Sequence, residues 1–202
     1  MITQEHIDRS MTYAAYSKLL KDLMAQGKTT GGNQSEDYIN YAKLNLQRMF
    51  RLDKTIELTE ALKAALSKIR SNYTWLVLTE GWCGDAAQNI PVMHFITEAC
   101  PAIELKLLLR DENLDVMDQY LTEGGRSIPK LICLEKDATA PNGFKEIFVW
   151  GPRPAGAQDL MHELKAKNTP LMEKATIIQK WYNADKTLST QAEFLELVQK
   201  MK

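Results

Sequence analysis

The chain has 202 residues, of which 45% are hydrophobic and 25% charged, and this composition is typical of a globular protein and excludes a disordered or fibrous one. Lysine and arginine number 25 against 26 aspartate and glutamate, so the formal net charge is −1. Without an excess of positive charge, the molecule as a whole has no field that attracts polyanions. We therefore expect neither a nucleic-acid partner nor a membrane partner.

Three further features concern cellular location. The apolar runs, such as 75–78 and 131–134, are far shorter than the ~20 residues that a membrane-spanning helix requires. The first residues are polar and lack the basic, apolar and small-residue regions of a secretory signal, which predicts a cytoplasmic location. Cys83, Cys100 and Cys133 are an odd number of widely spaced cysteines, so we expect free thiols rather than a disulfide framework or zinc knuckles.

The first 70 residues carry helical patterns only. Apolar residues at every fourth position predict one helix over residues 4–25. Glycines then interrupt the pattern, and Ser35 offers an N-cap for a second helix. A third apolar stripe runs from Leu58 to Ile69 and predicts a third helix.

From Tyr73 the pattern changes to short runs rich in aromatic and branched residues, which predict buried strands. The predicted strands are 73–79, 103–109, 130–135 and 146–150. Pro141-Asn142-Gly143 favours a hairpin between the last two. Helices predicted at 87–99 and 114–122 separate the first three strands, and crossovers of that length predict parallel pairing. Helices at 155–167, 171–183 and 190–201 complete the chain, the last one capped by Ser189 or Thr190.

The segment most informative about chemistry joins the first strand to a helix and places Cys83 in that helix's first turn. Backbone N–H groups at a helix N-terminus stabilise an anion, so the pKa of a cysteine there can fall below ~8.5 and give the nucleophilic thiolate. The carboxylate of Asp85 opposes a second negative charge, so we expect only moderate activation. The alternative is that Cys83 packs beneath Trp82 as a buried cysteine, and the segment alone favours neither reading.

These residues resemble the active site of the thioredoxin family. Trp82-Cys83-Gly84-Asp85-Ala86 is similar to the family's Trp-Cys-Gly-Pro-Cys run, and Ile128-Pro129 resembles the residue pair with a cis-proline that faces it. Pro91, the segment 110–113 and Gly151 keep the same register. Because a proline at the start of a buried strand lacks an N–H, we also expect a cis Ile128–Pro129 bond next to Cys83.

The resemblance covers residues 56–167 and implies an α/β fold, with a thioredoxin-like central mixed sheet flanked by helices. Residues 1–55 and 168–202 are then N- and C-terminal helical extensions, which we expect to merge with this domain into one globular unit, because no long polar linker separates them. The extensions either restrict the range of substrates or serve only stability or homodimer contact.

The resemblance also implies functional residues. It makes Cys83 the catalytic thiol and places Trp82, Gly84, Asp85, Ile128 and Pro129 in contact with the substrate, with no cofactor and no metal. The family's second cysteine, however, is Ala86 here, its intervening proline is Asp85, and the acid usually found six residues before the first cysteine is Val77.

Two functions follow from this departure. One is a monothiol protein whose Cys83 forms mixed disulfides with protein thiols or low-molecular-weight thiols, because a lone thiol needs an outside thiol to resolve its mixed disulfide. The other is a redox-inactive binding module that uses the same groove for peptides or proteins.

Overall fold

The computed structural model describes residues 1–201, in which four strands form one mixed sheet flanked by helices. The spatial order is β2-β1-β3-β4, with β1 parallel to β2 and antiparallel to β3, and β3 antiparallel to β4. All four predicted strands are confirmed, with the last two slightly longer than predicted. They are β1 (Tyr73–Thr79), β2 (Ile103–Leu109), β3 (Lys130–Lys136) and β4 (Phe144–Trp150).

The helices precede, separate and follow the strands. They are α1 (Gln4–Asp8), α2 (Tyr13–Ala25), α3 (Glu36–Thr55), α4 (Glu60–Leu66), α5 (Gly84–Ala99), α6 (Leu114–Met117), α7 (Ala155–Ala166), α8 (Leu171–Asp185) and α9 (Leu188–Val198). Ser35 is the N-cap residue of α3, as its position in the sequence predicts. In the described part of the chain, no helix is both long enough and apolar enough to cross a lipid bilayer.

Strand β1 is the centre of the core, because all seven of its residues are buried. Its run of aromatic and aliphatic side chains suits a strand that is covered on both faces. The C-terminal end of this strand leads directly into the segment that contains Cys83, so a fully buried central strand positions the candidate site.

The prediction that β3 runs parallel to the first two strands is wrong, since it pairs with β1 in the antiparallel direction. Helix α6 has only four residues instead of the predicted nine, which is about 6 Å of helix and cannot return the chain along a strand of about 23 Å. Helix α5 has 16 residues and does so between β1 and β2. The chain therefore stays at the C-terminal end of β1 and β2, and β3 begins there.

The predicted first helix over 4–25 is also wrong, because it is divided into α1 and α2. Between them Met11 exchanges two backbone hydrogen bonds of 2.8 Å with Leu107 of β2. Strand β2 is at the edge of the sheet, and this bridge covers part of its free edge. Thr12 then caps α2 by accepting the N–H of Ala15.

The N-terminal cap predicted for the last helix is wrong as well. The N-cap residue of α9 is Thr187, with φ of 70°. Ser189 lies within the helix, and both its N–H and its hydroxyl donate to the carboxylate of Asp185 at the end of α8. Thr190 is buried and donates to Asn89 of α5.

Helix α9 belongs to the main hydrophobic core. Phe194 is fully buried, and its ring stacks on Trp75 of β1 with the centroids 5.1 Å apart. It also contacts Trp150 of β4 at 5.0 Å, and Val198 is buried in the same cluster. The sheet therefore depends on this C-terminal helix to cover its central strand.

We expect Phe194→Ala to lower the free energy of unfolding by about 3–5 kcal/mol, because it removes an aromatic ring from a closed core. Chemical denaturation monitored by tryptophan fluorescence measures this loss. Glu196→Ala is the control, since Glu196 is exposed on the same helix and its loss should change stability by less than about 0.5 kcal/mol. Equal stability of the two variants would contradict the role of α9 in the core.

Candidate active site

The two motifs that the sequence analysis singles out are in direct contact. Cys83 is the N-cap residue of α5, and its sulfur accepts the N–H of Ala86 at 3.4 Å. The same thiol donates to the carbonyl of Ile128 at 3.2 Å. The Ile128–Pro129 bond is cis. Pro129 directly precedes β3, at the end of the sheet where β1 leads into the turn that contains Cys83.

Burial dominates the electrostatics of this thiol. Cys83 is 8% exposed, and the loss of solvation, together with the negative charge of Asp85, raises its pKa to about 12. The N–H groups of the first helical turn and the guanidinium of Arg153 act in the opposite direction but are weaker. The prediction that the helix N-terminus moderately activates Cys83 is therefore wrong. At neutral pH the thiol of Cys83 is protonated.

Asp85 forms a buried ion pair. Its carboxylate lies 2.6 Å from a guanidinium nitrogen of Arg153, and the two side chains are only 12% and 16% exposed. The hydroxyl of Tyr182 in α8 donates to the other carboxylate oxygen at 3.0 Å. Burial raises the pKa of Asp85, while Arg153 and Tyr182 favour its charged form.

The polar network continues from this ion pair into the C-terminal helices. The side-chain amide of Asn89, one turn further along α5, donates to both the Asp85 carbonyl and the Tyr182 hydroxyl. Its oxygen accepts from Thr190 of α9 at 2.9 Å. The residue that replaces the family's intervening proline is thus linked to both C-terminal helices.

The remaining predicted site residues differ in their positions. Trp82 packs against Tyr38 of α3 and beneath the guanidinium of Arg110, with centroid distances of 5.2 and 4.7 Å. Gly84 opens α5 beside Arg48, where an added Cβ would lie 3.5 Å from a guanidinium nitrogen. Ile128 is buried, as is Pro129, whose carbonyl lies against Gly151.

Gly151 is required at this point. Its φ of 114° is a conformation that residues with a side chain rarely adopt, and an added Cβ would overlap with the Pro129 carbonyl oxygen. The chain directly after β4 therefore lies close to the chain directly before β3. Arg153, two residues after Gly151, is thereby positioned next to Asp85.

The other two cysteines lie away from this site. Cys100 caps the far end of α5, about 26 Å from Cys83 at the rise of an α-helix, and its thiol donates to the Leu66 carbonyl. Cys133 lies within β3 and is fully buried, and this burial raises its pKa to about 12. Neither thiol is positioned to resolve a disulfide at Cys83.

A buried acid does precede Cys83, but at a position that the sequence analysis did not consider. Glu80 is fully buried, and one of its carboxylate oxygens accepts the N–H of Asp111 at 2.9 Å. Burial raises the pKa of this group, while hydrogen bonds from the Thr30 side chain and the Asp111 N–H favour its charged form. A glutamate directly after the predicted buried strand 73–79 is the one signal in the sequence that could have identified it.

Cys83 opens into a cavity of about 660 Å³. Its walls come from α3, the Cys83 turn, the loop before β3 and helices α7 and α8. Apolar and aromatic side chains form much of the lining, namely Tyr38, Tyr41, Leu44, Met161, Leu171 and Met172. The hydroxyl of Tyr41 contacts the sulfur of Met172, which joins α3 to α8 across the two extensions.

Arg153 and Tyr182 are the main residues that sequence reasoning missed. Arg153 follows Gly151 and Pro152 directly, a position that could have marked it as close to Pro129, whereas nothing in the pattern of α8 distinguishes Tyr182. Within residues 1–201, no group of three or more His, Cys, Asp or Glu side chains is arranged to hold a metal ion.

A protein-family model described as thioredoxin matches residues 31–167. The chain therefore belongs to the thioredoxin family. The match includes α3, which the sequence analysis assigns to the N-terminal extension outside residues 56–167.

The solved structures that are similar to this chain support the fold. A protein of unknown function from Pseudomonas aeruginosa is 18% identical, with 98% of each chain covered and a TM-score of 0.62. An HIV epitope scaffold is also 18% identical, with 95% of this chain and 100% of the other covered and a TM-score of 0.57. No curated protein matches the sequence at a significant level.

We expect Asp85→Asn to lower the pKa of Cys83 by about one unit or more, because it removes the adjacent negative charge and leaves the cation of Arg153 in place. The alkylation rate of Cys83 should then rise at a lower pH than in the natural protein. Measuring the rate of iodoacetamide alkylation at Cys83 from about pH 6 to about pH 11 by intact mass tests this expectation.

Asp159→Asn is the matched control, because it removes an exposed carboxylate on α7. It should leave the pH profile unchanged. A profile for Asp85→Asn that coincides with the natural one, in a variant whose circular dichroism shows it to be folded, would contradict the electrostatic effect of Asp85.

Proposed function

We propose that the chain is a monothiol thiol–disulfide exchange protein, in which Cys83 forms mixed disulfides with protein thiols or low-molecular-weight thiols. The observation that carries this proposal is the position of the Cys83 sulfur, at the first turn of α5 and in the lining of the 660 Å³ cavity. A disulfide bound in this cavity would meet the sulfur directly. Trp82, Gly84, Asp85 and Ile128 line the same cavity and would contact the substrate.

The exchange consists of two steps. In the first, Cys83 loses its proton to solvent, and the thiolate attacks one sulfur of a substrate disulfide. A bond forms between the Cys83 sulfur and that sulfur, the substrate S–S bond breaks, and the other half leaves as a thiolate with the electron pair. In the second, an external thiolate attacks the sulfur of the bound half and forms a new disulfide with it, and the bond to Cys83 breaks so that Cys83 leaves as a thiolate. The thiol must be external because Cys100 and Cys133 lie away from the site.

The raised pKa of Cys83 governs the expected rate. Because only a small fraction of a thiol with a pKa of about 12 is ionised at neutral pH, thiolate formation limits attack by the free protein. The higher nucleophilicity of a basic thiolate recovers only about half of that loss on a logarithmic scale. Exchange is therefore slow at neutral pH and accelerates as the pH rises.

A second function, a redox-inactive binding module, is favoured by the same raised pKa and by the burial of the thiol. In this case the apolar lining contributed by Tyr38, Tyr41, Leu171 and Met172 would hold a protein or peptide partner. Cys83 would then serve as an N-cap that satisfies the N–H of Ala86 and donates to the Ile128 carbonyl.

The helical extensions have a place in both functions. Residues of α3 and α8 form much of the cavity wall, so we propose that the extensions limit which substrates reach Cys83. We further propose a cytoplasmic location, in which a reducing environment keeps Cys83, Cys100 and Cys133 as thiols.

We expect Ala86→Cys to give the chain dithiol chemistry, because residues three apart are neighbours on a helix and Ala86 already contacts the Cys83 sulfur through its N–H. Under mild oxidation the variant should form a disulfide between Cys83 and the introduced thiol. After prior reduction and removal of the reductant, it should also reduce a model protein disulfide such as insulin in a single turnover with no small thiol present. The natural protein should show little of this activity without an added small thiol.

Cys83→Ser in both backgrounds is the control, and it should abolish the new activity and every mixed disulfide detected by mass spectrometry at this site. The redox proposal is wrong if folded Ala86→Cys stays reduced and inactive and Cys83 of the natural protein forms no mixed disulfide with any small disulfide. The binding-module function would then be the better account of the cavity.

A further inference from the structure

The cavity over Cys83 is positively charged, although the whole chain has a net charge of −1. Its lining includes seven cationic side chains, Arg48, Arg110, Arg126, Arg153, Lys165, Lys174 and Lys180. The lining includes one carboxylate, that of Asp85. Positive charge is therefore concentrated where a substrate would bind.

Three of these cations are neutralised by a carboxylate. Arg153 pairs with Asp85, as described above. Arg110 lies 2.6 Å from Asp111, and Arg126 lies 2.6 Å from Asp118. The charges of these three side chains are therefore balanced locally and carry no argument for an anionic ligand.

The other four cations have no carboxylate within ion-pair distance among residues 1–201. They are Arg48, Lys165, Lys174 and Lys180, which come from α3, α7 and α8 and so surround the cavity on more than one side. The lysines of α8 lie on the same wall as the apolar residues Leu171 and Met172.

Arg48 is the most informative of the four, because it is partly buried and lies beside the first residue of the Cys83 helix. Its guanidinium donates to the neutral amide oxygen of Asn45 at 2.7 Å, and Asn45 is held in turn by the Gly81 carbonyl. Asp85 is close enough to attract Arg48 but is already bonded to Arg153 and Tyr182. A partly desolvated guanidinium without its own counter-charge is a ready site for a carboxylate.

We propose that the substrate of this cavity is an anionic low-molecular-weight thiol or its disulfide, bearing carboxylates that bind Arg48 and the lysines of α8. This inference rests on the proposed exchange function of Cys83 and specifies its substrate class. A cavity of about 660 Å³ is within the range of about 300–1,000 Å³ that is typical of small-molecule sites. The chemistry is the two-step exchange given above. The anionic half stays on Cys83 as the mixed disulfide while the other half leaves as a thiolate, and a different thiol then attacks the bound half, forms a new disulfide with it and releases Cys83 as a thiolate.

Three small disulfides of different charge test this inference. They are glutathione disulfide, which is net negative, hydroxyethyl disulfide, which is neutral, and cystamine, which is positive. The rate of mixed-disulfide formation at Cys83 is measured by intact mass at about pH 8.5 in low salt. We expect the anionic disulfide to react at least about tenfold faster than the neutral one and cystamine to be the slowest, with the difference shrinking as salt screens the charges.

Substitutions of the lining cations identify those responsible. Lys174→Gln with Lys180→Gln removes two cavity cations from α8 and should reduce the preference for the anionic disulfide several-fold, and Arg48→Gln should reduce it further. The preference is the ratio of the rates with glutathione disulfide and hydroxyethyl disulfide, so a general change in the reactivity of Cys83 cancels. Lys43→Gln with Lys54→Gln is the matched control and should retain the preference, because both lysines are exposed on α3 and neither lines the cavity.

The outcomes separate this inference from the function on which it rests. Equal rates for the three disulfides, or a preference that the lysine variants and Arg48→Gln leave unchanged, would overturn the anionic substrate while the exchange function stands. A preference confined to acidic peptide disulfides, with glutathione disulfide no faster than the neutral probe, would also overturn it. If no disulfide reacts at Cys83, both the exchange function and this inference fail.

Discussion

The buried ion pair between Asp85 and Arg153 is the interaction on which the candidate site depends. Two charges in a buried position are stable only when their geometry is good and their remaining bonds are satisfied, and removal of one partner typically costs about 3–5 kcal/mol. Here the carboxylate also accepts from Tyr182, and the guanidinium also donates to Gln158, while the buried Nε of Arg153 has no hydrogen-bond partner within residues 1–201. The pair joins the turn after β1, the segment after β4 and helix α8, three parts of the chain that are far apart in sequence.

The carboxylate of Asp85 stabilises the site but makes the thiol of Cys83 less reactive. It contributes to the high pKa of Cys83, which its partner Arg153 only partly offsets. A neutral residue between Cys83 and Ala86 would leave the thiol more acidic, but Arg153 would then be a buried cation without a counter-charge. The chain therefore couples a stable attachment of its C-terminal helices to a weakly ionised thiol. Any ligand or partner that alters the Asp85–Arg153 contact would change the reactivity of Cys83 without touching the sulfur.

Local patterns in the sequence predict both ends of each strand to within two residues. The resemblance to a family motif predicts that Cys83 lies next to Ile128-Pro129. Both are short-range signals, which a sequence carries directly. The antiparallel direction of β3 was not predictable from spacing, since a segment of nine residues that resembles a helix folds into a single turn, and the chain remains at one end of the sheet. The division of the first helix is equally hard to predict, because its cause is the bridge from Met11 to Leu107 in a distant strand. The apolar pattern of residues 4–25 carries no trace of that contact. Asp85 and Arg153 are 68 positions apart, and charge in a sequence does not specify a partner at that distance.

The C-terminal extension combines two roles that its sequence pattern does not distinguish. Helix α9 inserts Phe194 between Trp75 and Trp150 and is needed to cover the sheet, whereas α8 contributes Tyr182 to the ion-pair network and two lysines to the cavity wall. Removing residues 168–202 would therefore expose the core, and the loss of folding would conceal any effect on substrate access. Substitutions on the outer turns of α8 leave the Phe194 contact intact, so they can separate the control of access from the stability of the sheet.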